Sequence, residues 1–406
     1  MSKLMIGRAF SCLMVLVNIY PAFSMMSNPD VYRAQWQLAI LADTIAEADI
    51  RKNFKNVKEP EDALTLSRYL KDGRVHTVAV LEDDGERIIG IDLSVRLSRY
   101  DRNAFDVIKG LEFSTVVQHI RSGSDKVNIK YNELLPCVAG KEHIAIGINY
   151  AEHGKETGQV KPFMFPKFVP TDPAIHKIDY QKGWLLDHEV ELGIVFPSAV
   201  CSSADLDQMM IGFMVVNDFT DRAELMRKMD SKNVTGGKGF PDAKSKAGFL
   251  PTGPYMVIPK DWRDFVTELQ LQLSVNGEIR QKGSAVDMVW NIDEIIRRTL
   301  LERGKYDSYF QDSKVKLFEG DCIPPNSIII TGTPSGVVFK SPGGGFIFSH
   351  VLKYIFAGKF FSTKMHPYIL EQYLKKNLKN PGYLKPGDHV ESSINYLGTI
   401  ATYIGN

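Results

Sequence analysis

Leu186-Asp187-His188-Glu189-Val190-Glu191-Leu192-Gly193 alternates apolar with acidic or polar side chains, and Ile194 extends the pattern. A period of two is the signature of a half-buried strand rather than a helix. Glu189 and Glu191 therefore project from one face. Two adjacent carboxylates repel each other and leave water only with a positive partner. A hard divalent cation such as Mg²⁺ or Ca²⁺ suits them, because it takes several oxygen ligands. On this stretch alone, a solvated strand edge with both glutamates facing water is the alternative.

Working outward, Ile211 to Val216 form a second apolar run that ends in Asn217-Asp218-Phe219-Thr220-Asp221-Arg222. An acid at a strand end is well placed for chemistry, so Asp218 supplies a third oxygen ligand if the two strands pair. Upstream, the buried strand Ile144 to Ile148 leads into Asn149-Tyr150-Ala151-Glu152-His153-Gly154-Lys155-Glu156. Helical spacing brings His153 and Glu156 one turn apart. A carboxylate beside an imidazole orients it and raises its basicity, as in a general base; a surface ion pair of little energetic value is the other reading.

Downstream, Thr235-Gly236-Gly237-Lys238-Gly239-Phe240 presents one lysine among three glycines. The backbone there can approach a ligand closely, with Lys238 as cation, or the segment is a flexible surface loop. The spacing of a phosphate-binding P-loop is absent. Asn276-Gly277 joins two strands as a hairpin dipeptide, and residues 291–302 read as a helix. Ile328-Ile329-Ile330 leads into Thr331-Gly332-Thr333-Pro334-Ser335-Gly336, a tight turn whose hydroxyls and amides can bind an anion.

With 406 residues the chain exceeds one average domain, and a net charge of +1 gives no reason to invoke nucleic acid or an acidic membrane surface. Small molecules or copies of itself are the expected partners. Lys3 and Arg8, the apolar run Ala9 to Tyr20 and Ala22-Phe23-Ser24 have the order of a secretory signal peptide over residues 1–24. Its removal implies an exported protein, periplasmic or secreted, with no stable membrane span; an uncleaved membrane anchor or a mis-annotated start is the alternative, the latter giving a cytoplasmic protein. Cys137, Cys201 and Cys322 then remain, with no C-x-x-C spacing. That argues against zinc and favours buried free thiols over a single disulfide. Asn28-Pro29-Asp30 opens a helix running to about Phe54. His76 to Val80 and Arg87 to Ile91 flank an acidic turn as a hairpin. Residues 25–135 thus form a smaller N-terminal α+β unit ahead of a strand-rich region, with the boundary near Leu135-Pro136.

The ordered set Gly147-x-Asn149-Tyr150-x-x-His153-x-x-Glu156, Glu189-x-Glu191, Asn217-Asp218-x-Thr220-x-Arg222, Gly237-Lys238, Gly253-Pro254, Val275-Asn276-Gly277-Glu278, Thr331 to Gly336 and Lys385-Pro386-Gly387-Asp388 resembles the fumarylacetoacetate hydrolase family. The resemblance covers about residues 136–405. It implies an α+β fold whose catalytic domain, 136–406, is a strand-rich mixed β-roll or barrel-like structure. It also implies a homodimer with one divalent cation per subunit, Mg²⁺ first, with Mn²⁺ or Ca²⁺ as alternatives. The family's metal carboxylates fall on Glu189, Glu191 and Asp218, and its water-activating pair on His153 and Glu156. The charge-stabilising lysine falls on Lys238, and the substrate-carboxylate contact on Thr333. Lys167 and Arg222 match positions near the substrate.

The implied reaction is hydrolytic cleavage of a C–C bond in a 2-oxo acid or 1,3-diketo acid through a metal-stabilised enolate. A decarboxylase or an isomerase of 2-oxo dioates uses the same chemistry, and a catalytically silent, metal-stabilised binding protein is the alternative of another class. Two departures bear on the substrate. Ala223 and Leu225 stand where the family places Asp and a substrate-contacting Gln, so the substrate is expected to be less polar or differently posed. Pro241 to Gly248 reads as an insertion after Lys238. A second insertion, about 340–382, carries Phe346, Phe348, Tyr354, Ile355 and Phe356, expected to pack, and a helix from Pro367 to Leu378.

Overall fold

The computed structural model describes residues 57–159, 161–230 and 232–406. The expected signal peptide and the helix from Asn28 to Phe54 lie outside these residues. The Val190–Val195 strand lies in the interior of an eleven-stranded sheet. It pairs antiparallel with Gly212–Asn217, in the register Glu191 to Val216, and with Ile329–Ile330 on its other edge. Ile329–Ile330 in turn runs parallel to Glu142–Gly147, which pairs antiparallel with Phe163–Phe168.

Alternation here does not separate core from solvent, as a half-buried strand would; every residue from Leu186 to Val195 is buried. Val190, Leu192 and Ile194 belong to one apolar cluster with Phe213 and Val215. Val195 joins Met214, Val216 and Ile330 in a second cluster on the opposite face. Glu191 shares that second face, so its carboxylate is enclosed rather than solvated. Gly193 beside it leaves little room: an added Cβ would lie 3.0 Å from both Met214 Cγ and Val216 Cγ1.

The expected N-terminal unit contributes strands to this sheet. Its strands Lys126–Lys130, Arg87–Asp92, Arg74–Asp83 and Ala63–Lys71 continue the same sheet, through Met256–Pro259, to Gly212–Asn217. A five-stranded sheet runs in the order Glu278–Ser284, Gln270–Val275, His389–Ile394, Gly398–Gly405, Ile175–Asp179. Its hairpin turns at Asn276 and Gly277 with φ of 52° and 81°, the positive pair that a two-residue type I′ turn demands. Both sheets are open paths rather than a closed barrel, so the fold is mixed α+β and strand-rich.

Cys201 and Cys322 form a disulfide, contrary to the expectation of free thiols; Cys137 is free and buried. The sequence separation of 121 residues hid the pair, which is brought together where Val200 and Ile323 bridge antiparallel. In the insertion, Gly344–Phe356 and Met365–Asn377 form two helices. Tyr354 is buried and Phe346 packs against Tyr373, but Phe348 and Phe356 are 66% and 85% exposed, so the aromatic run packs only in part. Among the described residues, no helix is long and apolar enough to cross a membrane.

Two buried histidines give the fold a pH limit. Burial and the nearby Lys167 push His143 down to about 3, and burial pushes His176 down to about 4 despite its contact with the Gly248 carbonyl. Both are neutral when folded. Below the ordinary value of 6.5 the unfolded chain binds protons that the folded chain refuses. Stability is therefore complete above that value and declines as pH falls toward 4, by at most about 1.4 kcal/mol per pH unit for each histidine. The urea midpoint should fall between neutral pH and about pH 5, with a shallower descent in His176→Gln; equal slopes in the two proteins would remove His176 from the account.

Candidate active site

Strand pairing assembles the acidic cluster. Beyond the Val190–Asn217 pair, the Asp218 N–H donates to the Glu189 carbonyl at 2.9 Å, which sets Glu189 and Asp218 opposite each other. The Glu189 N–H in turn donates to Asn217 Oδ1 at 3.0 Å. One carboxylate oxygen from each of Glu189, Glu191 and Asp218 lies within 4.8 Å of the others, and all three residues are buried.

Cations surround two of the three. Arg222 donates through Nη2 to Glu189 and through Nε to Asp187 at 2.9 Å. Lys244 Nζ bridges Glu189 and Asp218, reaching Asp218 Oδ2 at 2.6 Å. Lys167 donates to Asp218 Oδ1 and to the carbonyls of Lys244 and Phe249. Burial would raise the Glu189 carboxyl, but Lys244 and Arg222 outweigh it and hold it well below the carboxylate range. Glu191 is pushed the other way, by burial and then by the charges of Asp218 and Glu189. Its partner is the Gly332 N–H at 2.5 Å.

The cluster therefore holds four carboxylates, Asp187 included, against three cations, and the deficit falls on Glu191. Three converging hard oxygen donors short of positive charge fit a divalent cation. The Lys244 ammonium lies between two of these carboxylates, Glu189 and Asp218.

His153 comes from the helix Ala151–Thr157, which follows the Glu142–Gly147 strand. Ile148, between the two, adopts φ of 63°. A left-handed β-branched residue costs on the order of 1–3 kcal/mol, and the surroundings must hold it. Asn149 does so: its side chain donates to the Trp290 and Thr331 carbonyls and accepts from the Trp290 N–H at 2.7 Å. This fastens the start of the helix to the Thr331-Gly332 turn.

His153 Nδ1 stands 3.7 Å from Glu156 Oε2, longer than a hydrogen bond, and has no other partner. Burial would raise the Glu156 carboxyl, but His153 and the Gly336 N–H, 3.1 Å from Oε2, outweigh it and hold it low. A base and its orienting acid are commonly this loose before substrate binds.

His153, the three carboxylates, Arg222, Lys244 and Thr333 all line one cleft. Three sequence-derived placements differ from this geometry. Lys238 is outside the cleft, half-buried, with its ammonium 5.4 Å from the Tyr309 ring centroid. The cation at the carboxylates is Lys244, at the end of the short helix Phe240–Lys244. Lys167 is fully buried beneath the site and does not line the cleft; its ammonium, among three acceptors, positions Asp218. The Thr333 hydroxyl is likewise engaged, donating to the Val190 carbonyl and accepting from Gln281 Nε2. Asp187 carried no functional reading in the sequence. It accepts from Arg222 and from the Val338 and Phe339 N–H groups, so it ties the cluster to the cleft wall.

Residues 142–404, more than half of the chain, match the family described as Fumarylacetoacetate (FAA) hydrolase C-terminal. The chain belongs to this family. An uncharacterised protein of Staphylococcus aureus (strain USA300) is 30% identical over 295 residues, spanning 69% of this chain and 74% of that protein. In fold, this fumarylacetoacetate hydrolase family member is similar to a fumarylacetoacetate hydrolase from Exiguobacterium antarcticum. The TM-score is 0.54 at 21% identity, with 84% of this chain and 99% of that one covered. It is also similar to a maleylpyruvate hydrolase from Sphingobium sp. SYK-6, with a TM-score of 0.52 at 18% identity and coverages of 84% and 99%.

Proposed function

We propose that the chain is a metal-dependent hydrolase that cleaves a C–C bond in a 2-oxo or 2,4-dioxo acid. The observation that carries this reading is the buried Glu189, Glu191 and Asp218 cluster sharing one cleft with His153 beside Glu156 and with the Lys244 ammonium. A divalent cation, when bound by the three carboxylates, would supply Lewis acidity toward carbonyl and carboxylate oxygens.

The protein's own groups supply the rest. His153, oriented by Glu156, accepts a proton from water, and the resulting hydroxide adds to the acyl carbonyl carbon. The bond from that carbon to the adjacent methylene breaks, and its electron pair passes into the enolate of the 2-oxo acid half. His153 returns the proton to the methylene carbon, giving a carboxylic acid and a 2-oxo acid. Lys244 stabilises negative charge as it develops on the enolate oxygen. A silent binding protein would have no use for the His153 and Glu156 pair, which favours the hydrolytic reading.

The test incubates the purified chain with acetylpyruvate, oxaloacetate or an unsaturated 2-oxo dioate, with Mg²⁺, with Mn²⁺ or with a chelator. Hydrolysis of acetylpyruvate should require the metal and be lost in Glu191→Gln. Turnover of oxaloacetate or of the dioate alone would assign a decarboxylase or an isomerase instead. Metal-independent hydrolysis would remove the acidic cluster from the mechanism.

A further inference from the structure

We propose that the cleft beyond the acidic cluster is an apolar acyl subsite. It selects 2-oxo and 2,4-dioxo acids whose distal part is an alkyl or aryl group and rejects those that end in a second carboxylate. The inference rests on reading the acidic cluster as the reaction centre, and concerns what surrounds it.

The first observation is the wall. Phe163, Phe165 and Phe240 line the cleft as a mutually packed aromatic group, with ring centroids 4.8–5.9 Å apart. Leu225, Met229 and Phe339 line it as well. Leu225 is 2% exposed and stands where the family resemblance places a glutamine, so an amide anchor is replaced by a hydrocarbon.

The second observation is the use made of every charge. The lining cations among the described residues are Arg222 and Lys244, and both donate to the buried carboxylates. Of the four neutral polar side chains in the lining, three are engaged, and the fourth is Gln159. Thr157 Oγ1 donates to the His153 carbonyl, Ser341 Oγ to the Thr157 carbonyl and Thr333 Oγ1 to the Val190 carbonyl.

A distal carboxylate entering this space would lose its water without gaining a cation, which is strongly unfavourable. An alkyl or aryl group of the same length would lose only apolar contact with water, a gain of about four-fold in affinity for each methylene buried. Arg222 is not free to turn toward such a ligand, because Asp187 and Glu189 both hold it. Lys244 meets that wall only at Phe165, 5.9 Å from its ring centroid, and its ammonium is held at the cluster by Glu189 and Asp218.

Two measurements test the subsite. In the first, calorimetry in the presence of Mg²⁺ compares two saturated, uncleavable 2-oxo acids of equal length, one alkyl-ended and one carboxylate-ended. The alkyl-ended probe should bind at least about ten-fold more tightly; equal or reversed affinities would overturn the proposal whether or not the chain hydrolyses anything. In the second, kcat/KM is compared for 2,4-dioxo acids carrying acetyl, hexanoyl and carboxylate-ended acyl groups. It should rise from acetyl to hexanoyl, mainly through KM, and drop for the carboxylate-ended compound. Cleavage of the carboxylate-ended compound as fast as the hexanoyl one would overturn the subsite and leave the hydrolase reading intact. No cleavage of any of them, with the alkyl-ended probe still preferred in calorimetry, would sink the hydrolase reading and leave the subsite.

Leu225→Gln should narrow the alkyl preference in binding. Since Leu225 is buried, Val234→Lys, at a half-buried lining position, gives a second reading: its new cation should improve binding of the carboxylate-ended probe. An alkyl preference unchanged in both folded variants would overturn the assignment of the subsite to this wall.

Discussion

Replacing His153 with glutamine lowers kcat for a 2,4-dioxo acid by about 10²–10⁴-fold, the range expected when a general base is removed. Divalent-cation affinity, read by calorimetry, stays nearly unchanged, because His153 is not among the three converging carboxylates. The variant should fold: His153 Nδ1 makes no hydrogen bond, and glutamine fits a helix. Glu156→Gln should fall between wild type and His153→Gln, since it weakens the orientation of the base without removing it. If His153→Gln retains full turnover, the water-activating role belongs elsewhere. If it loses metal binding instead, His153 is acting as a ligand.

Lys244→Met and Lys238→Met separate two lysines that are six positions apart in sequence and differ in every contact. Lys244→Met should lose about 10²–10³-fold in kcat, the usual cost of removing one preorganised donor to developing charge. It should also unfold at lower temperature, because Glu189 and Asp218 lose a shared buried partner, a change worth about 3–5 kcal/mol when a buried pair is broken. Lys244→Arg keeps the charge and should recover more of the stability than of the turnover. Lys238→Met should match wild type in both, since its ammonium faces the Tyr309 ring outside the cleft. The reverse pattern, with Lys238 needed and Lys244 dispensable, would return the role to the glycine-rich segment.

The two lysines also mark what a linear pattern can and cannot specify. Glycine around Lys238 is a local signal of backbone freedom, visible in any sequence. Lys244 has no local signal, because its importance comes from Glu189 and Asp218, which lie 55 and 26 positions away. The disulfide has the same cause. Cys201 and Cys322 meet only because strand pairing folds a 121-residue separation back on itself.

By itself, the sequence determined the alternation at Leu186 to Ile194, the shared face of Glu189 and Glu191, the helical step from His153 to Glu156 and the Asn276-Gly277 turn. Each is a short-range consequence of strand, helix or turn geometry. The ordered motifs also carried the family. Only the tertiary structure decided that the central strand is buried on both faces, so that Glu191 is an enclosed acid short of positive charge rather than a solvated one. The structure alone also decided which lysine bridges the carboxylates, that Lys167 lies beneath the site, and that the four strands between Ala63 and Lys130 extend the same sheet. Burial and charge pairing are sums over neighbours from distant parts of the chain, and a one-dimensional period does not contain those neighbours.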